Sequence, residues 1–153
     1  MPRNIDLFNE VVGLIFAQLY ESFPVVTEID RRMIGEGLGL KLLHDTPGPL
    51  GTKSIKFADP IDGMKFDDFL RSAASWLVSE GFVRSLHGDC LSHIVLTSKA
   101  LAALNMMPEV VEAKTPGTSL TELANDVATD TRRAAITKIV GEVIGYAVKA
   151  VSS

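Results

Sequence analysis

Cysteine is almost missing from this 153-residue chain, which carries only Cys90. No intramolecular disulfide can form, so the fold is expected to rest on its core and to need no oxidising compartment. Basic residues are outnumbered, 15 Lys and Arg against 19 Asp and Glu, giving a net charge of −4 and a pI of about 5.3. That balance excludes an overall basic footprint for nucleic acid and leaves room only for a local patch. Long hydrophobic runs are missing too. The most apolar stretch, Val11 to Tyr20, is too short to span a bilayer, and the apolar C-terminal stretch is interrupted by Lys138, Glu142 and Lys149. An acidic residue, Asp6, stands where a secretion signal would begin its apolar run, so no such signal and a cytoplasmic location are expected. What is present is an ordinary globular balance, 46% hydrophobic and 22% charged, on a chain long enough to bury a core without staples.

The periodicity predicts a helix over Ile5 to Glu21, capped by Asn4 or Asp6, with a wide apolar face and an end forced by Pro24. Val25 to Ile29 is β-branched and short, as a small strand would be. Asp30 can cap a second helix over Arg31 to Leu43, which Gly35, Gly37 and Gly39 should shorten or distort. Prolines and glycines punctuate His44 to Lys65, an inserted loop in which Ser54 to Phe57 can form an edge strand. Asp67 to Glu80 reads as a helix on the stripe Phe66, Phe69, Leu70, Ala73, Ala74, Leu77 and Val78, with Gly81 as its left-handed cap. Trp76 and Phe82 are expected in the core. Phe82 to Leu86 and Leu91 to Leu96 pair as strands about the turn His87-Gly88-Asp89, and Thr97 or Ser98 caps a short helix to Leu104. Met106 to Thr118 reads as a linker. Ser119-Leu120-Thr121-Glu122 reads as a capping box that opens one long helix to about Val151. The expected fold is therefore mostly α with a small β-hairpin: a domain over residues 1–105, a linker over 106–118 and a helical tail over 119–153.

Phe69, Trp76-Leu77, Glu80-Gly81-Phe82-Val83 and Leu96-Thr97-Ser98-Lys99-Ala100-Leu101 carry a resemblance over about residues 5 to 105. They resemble the stretch in which the third helix of a winged-helix protein runs into its wing and then into a closing helix. The insertion after His44 departs from a minimal winged helix. The resemblance implies that Asp67 to Glu80 is a recognition helix and that His87-Gly88-Asp89 is the wing tip. Arg71, Ser72 and Ser75 on the helix, with Arg84 and His87 on the wing, are then the residues expected to contact double-stranded DNA. Against this stand Asp67 and Asp68, which would repel phosphate at the N-terminal end of that helix. A solvated helix face is the plainer alternative.

Other constellations are weaker. Cys90 and His93 stand three apart, a spacing metal sites use, but an odd offset on a strand sends side chains to opposite faces, so no metal site is expected. His44-Asp45 has no nucleophile elbow beside it, and Gly35-Glu36-Gly37-Leu38-Gly39 lacks the Lys-Ser/Thr of a phosphate loop. No cofactor and no catalytic activity are expected.

The C-terminal helix carries Gly141-x-x-x-Gly145 within a wide apolar face that includes Ile136, Val140, Val143, Ile144, Ala147 and Val148. Such a face must be covered, by its own domain, by a partner chain or by a membrane surface. A homodimer is expected, with Val140, Gly141, Ile144, Gly145 and Val148 at its interface and no integral membrane association. Two functions fit these features. One is a winged-helix transcriptional regulator that dimerises through this helix. The other is an interaction or scaffolding module that docks another protein.

Overall fold

The computed structural model describes residues 3–47, 53–61, 63–105, 115–125 and 130–152. It is mostly helical, with two small antiparallel hairpins. Helix α1 (Arg3–Ser22) is the central element. Val11, Val12, Leu14, Ile15, Phe16, Ala17 and Leu19 are all buried, so apolar residues point in nearly every direction around it. A helix apolar on all sides must be surrounded. Neighbours supply that cover: α3 (Phe66–Ser79), α5 (Pro116–Ala124) and α6 (Asp130–Ser152) all pack on α1.

Helix α2 (Arg31–Gly37) starts at Asp30, whose carboxylate accepts from the Met33 N–H at 3.2 Å, and it is short, as its glycines foretell. One of those glycines has a packing reason. A Cβ on Gly35 would stand 2.5 Å from the Phe57 ring. The segment after α2 bears out the strand expected at Ser54 to Phe57 and gives it a partner that the expected irregular loop did not contain. Leu42–Pro47 (β1) pairs with Lys53–Phe57 (β2) in an antiparallel hairpin with a register shift between Leu42 and His44. Leu42 to Pro47 thus leaves the helix predicted to reach Leu43. Residues 48–52, which include Gly48, Pro49 and Gly51, lie outside the described residues. Phe57 anchors the hairpin by packing on Phe66 with ring centroids 5.2 Å apart.

Helix α3 buries Leu70, Ala73, Ala74 and Leu77 and ends as expected at Gly81, whose φ is +82°. The Phe82 N–H bonds the Leu77 carbonyl and the Gly81 N–H bonds the Val78 carbonyl, the paired bonds that close a helix on a left-handed residue. Val83–Ser85 (β3) and Ile94–Leu96 (β4) form the second hairpin, shorter than predicted at both ends. The stretch from Val25 to Ile29 contributes to the same sheet. Thr27 exchanges two 3.0 Å bonds with Ile94, and the Ile29 N–H reaches the Leu91 carbonyl. Thr97 caps α4 (Ser98–Leu104) by accepting from the Ala100 N–H, while its hydroxyl donates to the Gly81 carbonyl at 2.6 Å.

The C-terminal third differs most from expectation. Thr115, not Ser119, caps α5, accepting from the Thr118 N–H, and Pro116 opens the helix. Proline needs no N–H at the first helical position, so a Thr-Pro-Gly that resembles a turn starts a helix instead. Met106 to Lys114, the rest of the predicted linker, lies outside the described residues. The single long helix is two: α5 closes at Asn125, whose side-chain amide donates to the Thr121 carbonyl, and α6 begins at Asp130. Breaking the helix lets α6 lie across α1 and α4. Ile136, Val140, Val143 and Ala147 are at most 1% exposed and belong to the same core cluster as α1. Gly13 is where α1 and α6 come closest, since a Cβ there would collide with the Ile136 side chain and stand 3.2 Å from Val140. No helix among the described residues is long and apolar enough to cross a membrane.

Candidate functional site

Helix α3 buries one stripe and leaves its neighbour half open. Trp76 lies one residue, or about 100° of helix rotation, from Leu77 on the buried stripe. That offset places it at the edge of the core, 36% exposed, and not inside it as the sequence suggested. The indole meets Phe8 of α1 edge-on at 5.2 Å and stacks on Phe82 at 6.1 Å. Phe82 is the core member of this set, 2% exposed. Above Trp76 the surfaces of α1 and α3 part to form a groove of about 500 Å³. Ile5 and Phe8 form one wall; Phe69, Ala73 and Trp76 form the other; Met64 closes one side. Ile5 is 51% exposed and Met64 39%. The polar groups at its edge are Asn4, Asp68 and Ser72. A volume of this size with largely apolar walls and few polar groups has the makeup of a binding site.

A second depression, of about 470 Å³, lies on the other side of Trp76 and shares Ser72 and Trp76 with the first. Its remaining rim is polar: Arg71, Ser75, Ser79 and Glu80. Trp76 is therefore a ridge between an apolar groove and a furrow of serine hydroxyls.

The five residues proposed for DNA do not share one basic surface. Arg71, Ser72 and Ser75 line the furrow, and the Arg71 guanidinium is 3.5 Å from the Asp89 carboxylate between β3 and β4. That carboxyl is held below its ordinary range, first by the Leu91 backbone N–H, then by Ser92 and Arg71. Arg84 is exposed on β3. His87 sits in the β3–β4 loop against His93, ring centroids 4.5 Å apart and perpendicular, with His93 in the left-handed region at φ 54°. Cys90 turns the other way, its thiol 3.6 Å from the Arg71 carbonyl. No group of three His, Cys, Asp or Glu among the described residues can hold a metal ion.

The five residues proposed for self-association divide between the two sides of α6. Val140 is fully buried within its own chain and Ile144 partly so. Gly141 and Gly145 face outward, where an added Cβ would meet nothing within 4 Å, and Val148 is 54% exposed. The side of α6 that carries Val140 is thus covered within its own chain, and the side that carries Gly141, Gly145 and Val148 remains outward.

Sequence reasoning also missed Glu10, a carboxylate 2% exposed in the middle of α1. Arg133 of α6 donates to it at 2.8 Å. Burial pushes the Glu10 carboxyl above its ordinary value; Arg133, with Arg132 beyond it, pulls against that shift. Glu10 stands in an apolar run, between Phe8 and Val11, and that was the available signal. The groove had a signal as well: Ile5, Phe8 and Phe69 are more apolar residues than one buried stripe on each helix can use. No protein-family model, no curated protein and no solved structure matches this chain.

Proposed function

We propose that the protein is a non-enzymatic interaction module that docks an apolar helical segment of a protein partner in the groove between α1 and α3. The observation that carries this is the groove itself: Ile5, Met64 and Trp76 hold apolar surface in water on the outward side of α3. A half-exposed tryptophan seated between apolar walls and rimmed by polar groups has the anatomy of an interaction hot spot. Asp68 at the rim favours a basic residue beside the apolar anchors of the bound segment.

The test uses Trp76, the only tryptophan in the chain, as its reporter. Titration with a synthetic amphipathic helix of leucine and lysine should shift the indole emission to the blue as the groove fills. Ile5→Asp, at a half-exposed position, should weaken binding at least about tenfold while leaving the fold intact. An emission spectrum indifferent to the peptide would end the proposal.

A second proposal, a winged-helix DNA-binding regulator, draws support from one observation. The Thr27–Ile94 bridge lays the segment between α1 and α2 beside β4, so that, with the β1–β2 hairpin between α2 and α3 set aside as an insertion, helix, strand, helix, helix and hairpin follow in winged-helix order. The face that would enter the major groove speaks against it. That face offers Trp76 and Phe69, with Asp67 and Asp68 at its N-terminal end and Arg71 turned to Asp89. Binding to random duplex DNA that weakens steeply with salt would favour this second function over the first.

A further inference from the structure

The walls of the α1–α3 groove are largely apolar, and Asp68 is the one charged residue among the described residues that line it. Asp68, Ser72 and Trp76 stand at i, i+4 and i+8 of α3, so they follow one row along the helix, and all three face the groove. Neighbours in such a row are about 5–6 Å apart. Ser72 is short and exposed. The space above it therefore has a carboxylate one turn away on one side and an indole one turn away on the other. That carboxylate has no cation from its own surroundings. Asp67 is taken by Arg31 at 3.1 Å, and Arg71 faces Asp89 at 3.5 Å. Asp68 makes no ion pair or hydrogen bond with any described residue. The indole is stacked on Phe82 and met edge-on by Phe8, and 36% of Trp76 is still open. A carboxylate and an aromatic surface on either side of one gap attract a cation by two separate effects, the Coulomb field and the ring quadrupole.

We infer that the partner segment in this groove presents an arginine, whose guanidinium lies over Ser72 between the Asp68 carboxylate and the Trp76 indole. This rests on the proposed docking of a helix in the groove and names the residue that the groove selects. Charge complementarity asks for a cation, and the walls choose among cations. A lysine ammonium is compact and strongly hydrated. Bringing it between Trp76 and the wall of Ile5 and Phe8 strips water that a single carboxylate replaces poorly. A guanidinium is more weakly hydrated, its planar fork donates two parallel bonds to one carboxylate, and its face rests on an aromatic ring. The apolar stem of the arginine covers wall surface on its way in. On a bound helix, residues three and four positions from the arginine share its face. Apolar residues there meet Ile5 and Met64, which are 51% and 39% exposed without them.

The experiment titrates the full chain into three labelled peptides and reads fluorescence anisotropy. Each peptide is the same amphipathic helix of leucine and glutamine, with arginine, lysine or glutamine at one central position. The arginine peptide should bind about tenfold tighter than the glutamine peptide, with lysine between them. Asp68→Asn keeps the shape of an exposed side chain and removes its charge. It should bring the arginine peptide to the level of the glutamine peptide and leave the glutamine peptide where it was, a control that a misfolded groove would fail. A glutamine or lysine peptide that binds the wild type as tightly as the arginine peptide overturns the inference, as does an arginine preference that survives Asp68→Asn. Under those outcomes the docking of an apolar helix still stands. If none of the three peptides binds and the leucine–lysine helix leaves the Trp76 emission unchanged, the docking function falls and the arginine with it.

Discussion

Replacing Gly13 and Gly141 by alanine, separately, should change stability in opposite directions. Both glycines lie inside α-helices, where alanine is favoured by roughly 1 kcal/mol through backbone entropy. At Gly141 the added methyl meets nothing within 4 Å, so that gain is the whole effect. Gly141→Ala should stabilise by about 0.5–1 kcal/mol. At Gly13 the methyl collides with Ile136 and stands 3.2 Å from Val140 and 3.4 Å from Leu120. Ile136 and Val140 are β-branched and stiff at χ1, and both are fully buried, so neither can swing aside. Overpacking costs about 1–3 kcal/mol, and a collision with a buried side chain that cannot move belongs in the upper part of that range, about 2–3 kcal/mol, which outweighs the propensity gain and leaves Gly13→Ala destabilising by about 1–2 kcal/mol. For a chain of this size that lowers the melting temperature by roughly 2–8 °C. Thermal or urea denaturation reads both values. If Gly13→Ala stabilised the protein as Gly141→Ala does, α6 would not lie against α1 at this point. The account of the C-terminal third would then be wrong.

Three further outcomes are expected. Phe82→Ala should cost about 3–5 kcal/mol in urea denaturation and Trp76→Ala distinctly less, because only the first ring is fully buried. Thr115→Ala, which removes the cap of α5, should cost about 1 kcal/mol, whereas Ser119→Ala should be near neutral; equal costs would restore the capping box to Ser119. The raised pKa of Glu10 means that the folded state holds its proton more tightly than the unfolded chain does. Stability tied to this group is therefore complete below the ordinary value of 4.5 and is lost as pH rises through the folded value. Glu10→Gln should remove that slope from a denaturation series taken at stepped pH, and an unchanged slope would place its origin elsewhere.

The helices and the β3–β4 hairpin were legible because their signals are local. Asp30, Thr97 and Gly81 act on backbone groups within five residues, and all three do what their types foretell. The β1–β2 hairpin was not legible, because its anchor is Phe57 against Phe66 and Gly35, contacts between separate elements. Thr115-Pro116-Gly117 was misread for a similar reason. Gly117 is buried, and a Cβ there would stand 2.5 Å from the Tyr20 ring, so the start of α5 is held by packing on α1 that no local pattern records. Trp76 failed at a finer level. A helical stripe ranks residues by rotation, and 100° separates a fully buried position from the edge of a groove.

Helix α1 ties the candidate site to the rest of the molecule, and it does so with different turns. Its first turns carry Asn4, Ile5 and Phe8 into the groove. Its middle carries Glu10 and Gly13 to α6. The bond from the half-exposed Arg133 to the buried Glu10 and the apolar contacts beside it hold α6 on α1 by its inner face. A charge buried in a partnered pair adds little net stability, but removing one partner is costly because the other is left without compensation. Glu10 and Arg133 therefore act mainly as a device of register, setting how far α6 is turned about its own axis. That turn decides whether Lys138, Gly141 and Gly145 face outward together. A helix held against its neighbour by one face needs that rotation set, and a carboxylate placed in the middle of an apolar run is one way a sequence can set it.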